Sequence, residues 1–276
     1  EKRKSTQVYG ISTPRVFAVF FNVTKNAALA HDEVRQALAY ATDRDAIVRE
    51  VLLGRGQPAY SAFLPFMNGF ASDLDFPRYD FGKAENILDE AGWKRGDDGV
   101  RSKNGTRLEF ELTVPDWPEL AHTADLLREQ WEALGARVTV NVLSAADLQQ
   151  NFVRPREYQA LLFGEEAMIE SDPYSFWHSS QKHDPGLNLA LFDDKDADDT
   201  LLSLREDTET GKRLEKYRDF QEALIRENPA VFLYSPSYLY VVNGAVQGIN
   251  VKSINTPAQR FDTISEWYMD TTRVRK

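Results

Sequence analysis

Two rhythms alternate along the chain: short runs of consecutive apolar residues, and apolar residues spaced three or four apart. Val16 to Val23, Val-Phe-Ala-Val-Phe-Phe-Asn-Val, is a continuous apolar run, and its brevity and aromatic content predict a buried strand. The spacing then changes. Asp32 precedes Val34, Ala37, Leu38 and Ala41 at helical intervals, and Thr42 or Asp43 is placed to cap a second helix running through Ile47, Val48 and Val51 to Gly54. From Gln57 to Arg78, Pro, Gly, Phe and Tyr mix without a period, which reads as a long ordered loop held by its aromatics. Asp80 caps the next helix, with Ala84, Ile87, Leu88 and Ala91 facing inward, Gly92 ending it and Trp93 seating its end.

Lys94 to Glu111 reads as a hairpin, because Asp97-Asp98-Gly99 and Lys103-Asn104-Gly105 both carry turn chemistry ahead of the alternating Leu108, Phe110 and Leu112. A strand to Val114, a helix from about Pro118 to Leu134 stopped by Gly135, and a strand from Val138 to Val142 form a βαβ unit, which implies parallel strands. Ser144-Ala-Ala-Asp147 resembles a capping box for a helix through Leu148 and Phe152, and Tyr158 to Phe163 predicts another strand. Helices near Lys195–Arg205 and Gly211–Glu227 lead to a strand at Val231–Tyr234. Beyond Pro236 the chain is β-rich, but its apolar positions lack partners. The sum is an α/β (α+β) domain with a mixed sheet flanked by helices.

Composition narrows what such a domain does. A net charge of −10 argues against nucleic-acid phosphate or an anionic membrane surface as partner. The absence of cysteine removes disulfides, thiolate catalysis and cysteine-bound metals together. No run reaches the roughly 20 apolar residues of a membrane span, and Glu1-Lys2-Arg3-Lys4 is not followed by the apolar stretch of a signal peptide.

The segment from Phe163 to Gln181 stands apart, with Glu165, Glu166, Glu170 and Asp172 beside Tyr174, Phe176 and Trp177 and no regular period. Acids and aromatics together, at the end of a predicted strand, suit the mouth of a ligand site, although each aromatic equally suits the outside of a core. Adjacent carboxylates on extended chain point to opposite sides, so Glu165 and Glu166 are poor candidates for a glycosidase pair; a solvated acidic loop is the favoured reading over catalysis, and pairing with a ligand's ammonium group is a third option for these acids. His31, His122, His178 and His183 are scattered without metal-ligand spacing, and no cofactor or catalytic residue is expected. Arg35, Arg44 and Arg213 fit ion pairs and helix ends, and Asp193–Asp199 fits the start of a helix rather than a calcium loop.

An ordered set of motifs adds a resemblance. Phe21-Asn22, Val34-Arg35-Gln36-Ala37-Leu38, Ala41-Thr42-Asp43-Arg44-Asp45-Ala46-Ile47-Val48 and Gly54 are followed by Tyr79-Asp80, Lys83-Ala84, Ile87-Leu88, Glu90-Ala91-Gly92-Trp93 and Asp98-Gly99-Val100-Arg101 with Gly105. Leu134-Gly135 with Val138, Asp172-Pro173, Arg213 with Tyr217 and Gln221, Pro229 to Pro236, and Val246 with Gly248 complete it. Together they resemble the family 5 extracellular solute-binding proteins, receptors of peptide and nickel ABC importers.

The resemblance implies the C-terminal portion of such a receptor and a type II periplasmic-binding-protein-like fold. Residues 1–15 would be a lead crossing from lobe I, residues 16–237 lobe II, and residues 238–276 a tail returning to lobe I. It implies capture of a peptide-like solute between two lobes, delivery to a membrane permease, and an extracytoplasmic location, periplasmic or as an outer-face lipoprotein, for the full-length protein. In the peptide receptors, an Asp ahead of the Asp-Pro step pairs with the ligand's amino terminus; here that place is held by Ile169, and the aromatic that often follows the loop's Gly is replaced by Glu165. The expected ligand-contacting set is Glu165, Glu166, Met168, Ile169, Glu170, Asp172, Tyr174, Phe176 and Trp177, joined by Phe66 from the earlier loop. A sugar, an opine or a metal chelate is the alternative cargo, and a carboxylate-dependent hydrolase using Glu165 and Glu166 the alternative class.

Overall fold

The sequence periods translate directly into elements in a computed structural model that describes residues 6–170 and 172–269. Strands β1 (Thr6–Ser12) and β2 (Arg15–Phe21) are followed by α1 (Asp32–Tyr40) and α2 (Arg44–Glu50). Asp43 caps α2, its carboxylate accepting from the Ala46 N–H, and after the short β3 (Gly56–Pro58) Asp80 caps α3 (Phe81–Glu90) in the same way through the Lys83 N–H. The expected hairpin is a small meander of β4 (Lys94–Arg95), β5 (Arg101–Lys103) and β6 (Thr106–Arg107). The βαβ unit is β7 (Glu109–Pro115), α4 (Pro118–Leu134) and β8 (Arg137–Leu143), with Gly135 at φ 102° in the left-handed conformation that ends the helix. Ser144 caps α5 (Ala145–Asp147), which widens into a π-helical turn over Leu148–Val153. Then follow β9 (Ala160–Glu166), α6 (Tyr174–Trp177), α7 (Lys195–Glu206), α8 (Thr210–Glu227), β10 (Ala230–Asn243), β11 (Val246–Gln247) and β12 (Tyr268–Met269).

The main sheet runs β1-β10-β2-β9-β7-β8, with β3 also on β10. β9, β7 and β8 are mutually parallel, whereas β2 runs antiparallel to both β9 and β10. Alternation along each strand feeds two cores, one per face. Val19 and Phe21 of β2, Ala160 and Leu162 of β9 and Val231 and Leu233 of β10 pack with α1 to α4, where Trp131 is fully buried. Ala18 and Phe20, Leu161 and Phe232 pack instead against α7, α8 and the long loop, through Phe63, Leu201, Phe220 and Leu224.

Two arginines expected to serve helix ends are buried between elements. Arg44 donates to the carbonyls of Phe232, Ala39, Thr42 and Pro77, and Arg35 to those of Glu227, Asn228 and Leu29. Each guanidinium satisfies backbone acceptors that burial would otherwise leave unpaired.

The sequence pattern stops the last core strand at Tyr234, but β10 runs on to Asn243, fourteen residues in all from Ala230. Pro236 does not end it because the strand changes partners there. Pairing with β2 finishes at Tyr234↔Phe17 and pairing with β1 starts at Ser237↔Ser12, with β3 alongside in between. The β1–β10 ribbon thus leaves the sheet at one edge and carries exposed Val8, Leu239 and Val241.

Candidate functional site

The chain directions decide which edge of the sheet holds the site. β7, β8 and β9 all end at the edge where β2 begins and where β10 departs into the ribbon, since Arg15 lies opposite Glu166 and Phe17 opposite Tyr234. Ligands of sheets covered by helices gather beyond the carboxyl ends of the strands. A depression of about 380 Å³ lies there, lined by Arg15, Phe17, Val51 to Leu53, Arg55, Trp117, Glu119, Leu120, Tyr234, Pro236, Ser237 and Leu239.

Its floor is aromatic and its rim mixed. The Phe17 and Tyr234 rings lie 5.3 Å apart, and the Tyr234 hydroxyl is 3.2 Å from Thr123 Oγ1. Burial pushes the Tyr234 phenol up to about 12, so it remains protonated as a hydrogen-bonding group. Trp117 lies between β7 and α4 as the N-cap residue of α4 and, followed by Pro118 at the first turn, is fixed at the rim, where it is 44% exposed and stacks 6.3 Å from Phe163. Leu53 is 78% exposed and holds a left-handed φ of 51°, a strained conformation for a branched side chain. Arg15 is bound to Glu166 at 2.7 Å, whereas among the described residues the Arg55 guanidinium and the Glu119 carboxylate have no ion-pair partner.

The residues expected from the acidic loop scatter around this edge. Glu166 is exposed in its pair with Arg15, while Glu165 lies on the opposite face of β9, with Leu161 and Phe163 and across from Val16. Glu165 is 8% exposed, its Oε1 has no hydrogen-bond partner, and burial pushes its carboxyl well above the usual range. The two carboxylates therefore do not converge on a common point. Met168 is exposed. Ile169 is held through its backbone, its N–H donating to Asn255 Oδ1 at 2.7 Å and its carbonyl accepting from the Asn68 N–H at 3.0 Å. Glu170 lines a second depression, with Asn68, Arg213 and Tyr217 among its neighbours. Asp172 accepts from the Tyr174 N–H and pairs with Arg205, which lies over the Tyr174 ring; that ring stacks 4.3 Å from His178. Phe66 and Phe176 are half-buried against the second core.

Trp177 requires a correction. It is 1% exposed, ringed by Phe20, Phe192, Phe220 and Phe232, and belongs to the core rather than to a cleft wall. The stretch without apparent period contains one helical turn, Tyr174–Trp177, which turns Trp177 inward. Conversely, Trp117, Leu53, Arg55 and Leu239 were not anticipated. The signal for Trp117 was Asp116-Trp117-Pro118 at the carboxyl end of a predicted strand of a βαβ unit.

Among the described residues no group of three His, Asp or Glu side chains is placed to hold a metal ion, and no helix is long and apolar enough to cross a membrane.

Comparison with known proteins follows the same lines. Residues 1–186 match the sequence profile described as bacterial extracellular solute-binding proteins, family 5 Middle. The chain is 26% identical over 250 residues to the oligopeptide-binding protein AppA of Bacillus subtilis, covering 89% of this chain and 45% of that protein. The structure of that AppA in complex with a nonapeptide superimposes with a TM-score of 0.80 at 25% identity, over 98% of this chain and 54% of that one. The crystal structure of NikZ from Campylobacter jejuni in complex with Ni(L-His) gives 0.81 at 25% identity, over 96% and 54%. The chain thus spans about half the length of the relatives it matches.

Proposed function

Since the chain belongs to the bacterial extracellular solute-binding proteins of family 5 and its mixed sheet has the type II periplasmic-binding-protein-like fold, we propose that it supplies one lobe of a solute receptor. Residues 16–237 form that lobe, and residues 6–15 and 238–269 lead to a second one; the rest of the expected crossing segments, 1–5 and 270–276, lies outside the described residues. The receptor captures a peptide-like solute outside the cytoplasm and hands it to an ABC importer permease. Catalysis is not part of this function, in keeping with relatives named as binding proteins.

The observation that carries the reading is the position of the 380 Å³ depression. It sits at the carboxyl edge, where the β1–β10 ribbon leaves the sheet, so a second lobe carried by that ribbon closes over it and excludes water from a bound solute. The oligopeptide-binding name and the nonapeptide complex of the AppA relative favour peptide cargo. The Ni(L-His) complex of NikZ makes a metal chelate the comparison cargo. A thermal-shift panel on the full-length natural protein, with short peptides, sugars, opines and nickel–histidine, tests this. A dose-dependent rise with peptides supports the reading, because a ligand of the folded state stabilises it by mass action, and a rise with another class alone overturns the peptide assignment.

A further inference from the structure

We propose that the carboxyl-edge depression makes this receptor selective for peptides with apolar side chains and a free carboxylate, through Trp117, Leu53 and Arg55. The inference rests on the solute-receptor reading and names the chemistry within it. Three independent features of the depression converge.

The first is its lining. Phe17 and Tyr234 present a floor of two rings, Leu120 and Leu52 add aliphatic surface, and the volume of about 380 Å³ falls within the range of small-molecule sites. A floor of this kind rewards apolar side chains and returns little to glycine.

The second is the backbone of Leu53. A leucine held at φ 51° is strained, and its side chain gains no burial in return, being 78% exposed at the rim. Leu53 lies in the turn that ends α2 and its exposed aliphatic side chain lines the depression. Trp117, exposed on its own part of the rim, offers an indole face to the same space.

The third is charge. Arg15 is neutralised by Glu166, whereas Arg55 lines the depression with no ion-pair partner among the described residues. A guanidinium in that state is a bidentate receptor for a carboxylate. Glu119, also unpaired, sets an anion in the same lining, which opposes acidic side chains and accommodates an amine. Apolar walls between an unpaired cation and an unpaired anion match an uncapped apolar peptide better than they match a sugar, whose hydroxyls find few partners here.

The test is isothermal titration of the full-length natural protein with trileucine, triglycine and C-terminally amidated trileucine. Trileucine is expected to bind about tenfold or more tighter than triglycine, and Trp117→Ala and Leu53→Gly to shrink that ratio toward one. Glycine suits the left-handed backbone at position 53, so the second variant removes the side chain without threatening the fold. Arg55→Gln is expected to weaken trileucine about tenfold and leave the amide unchanged. Triglycine binding as tightly as trileucine overturns the inference while leaving a peptide receptor standing. Binding of nickel–histidine or a sugar with no response to any of the three peptides overturns both. A fall in the melting temperature of the ligand-free Trp117→Ala protein, with the trileucine-to-triglycine ratio intact, also overturns the inference, because it makes the depression a packing surface for the rest of the protein.

Discussion

Two depressions of similar volume lie at opposite ends of the same sheet, about 380 Å³ at the carboxyl edge and about 440 Å³ at the amino edge. Their polar groups differ. At the amino edge, Arg107 and Arg137 are both bound to Asp98 and Glu109, Asn26 donates to the Glu109 carbonyl and to Gln159, and Gln159 Oε1 accepts from the Glu111 N–H. At the carboxyl edge Arg55 and Glu119 have no ion-pair partner among the described residues, and Trp117 and Leu53 stand exposed beside them. Volume does not distinguish the two; the amino edge has its charged groups paired, as in a seam of the fold, and the proposed solute site rests on the unpaired groups of the carboxyl edge.

The comparison can be broken in descending order of effect. The largest concerns two tryptophans. Trp177→Ala is expected to lower unfolding free energy by about 3–5 kcal/mol in urea titration, as for a large aromatic lost from a core, while Trp117→Ala stays within about 0.5 kcal/mol. Equal losses would erase the distinction between core and edge.

Next comes Glu165, one residue inward from Glu166 and the carboxyl edge. Its folded carboxyl holds its proton above the ordinary value of 4.5, so the unfolded chain releases that proton first and the folded state loses stability as pH rises from about 4.5 through the folded value. Glu165→Gln removes this loss. The variant is expected to gain about 1–3 kcal/mol over the parent near neutral pH and little at pH 4, as read from melting curves across pH. An advantage that does not change with pH would mean that burial does not raise the Glu165 carboxyl.

Smaller again is Asn26→Ala at the amino edge. It takes away hydrogen bonds to the Glu109 carbonyl and from the Ala28 and Leu29 N–H groups, and is expected to lower stability by about 1–2 kcal/mol without changing solute affinity. A change in affinity would assign function to the wrong end. The smallest expected effect is on the ribbon, where Val241→Thr on an exposed apolar face should leave stability within about 0.5 kcal/mol. Should this 276-residue chain self-associate, sedimentation should show the variant weakening that association.

Much of the fold was legible because local chemistry agreed with tertiary structure. Asp43, Asp80 and Ser144 cap the helices their positions announce, and the βαβ unit between Glu109 and Leu143 follows its period and its Gly135 stop. Pro236 misled because a proline inside a strand normally marks an end, and the exchange of partners that tolerates it is set by β1, β2 and β3, all remote in sequence. The site was half legible. The acidic loop does follow a strand at the carboxyl edge, but which of its side chains turn inward depends on the register of β9 against β2 and on one helical turn at Tyr174–Trp177. Leu53, Arg55, Trp117 and Leu239 come from three separate segments, and no pattern within any one of them reveals that they share a depression.

The proposed receptor holds its solute at the carboxyl edge. Amide hydrogen exchange of the full-length natural protein, with and without the solute that stabilises it most, tests this directly. Exchange should slow at residues 52–55, 116–120 and 237–239 and stay unchanged at 26–28 and 106–111. Slowing at the amino edge, with the carboxyl edge unaffected, would contradict the account.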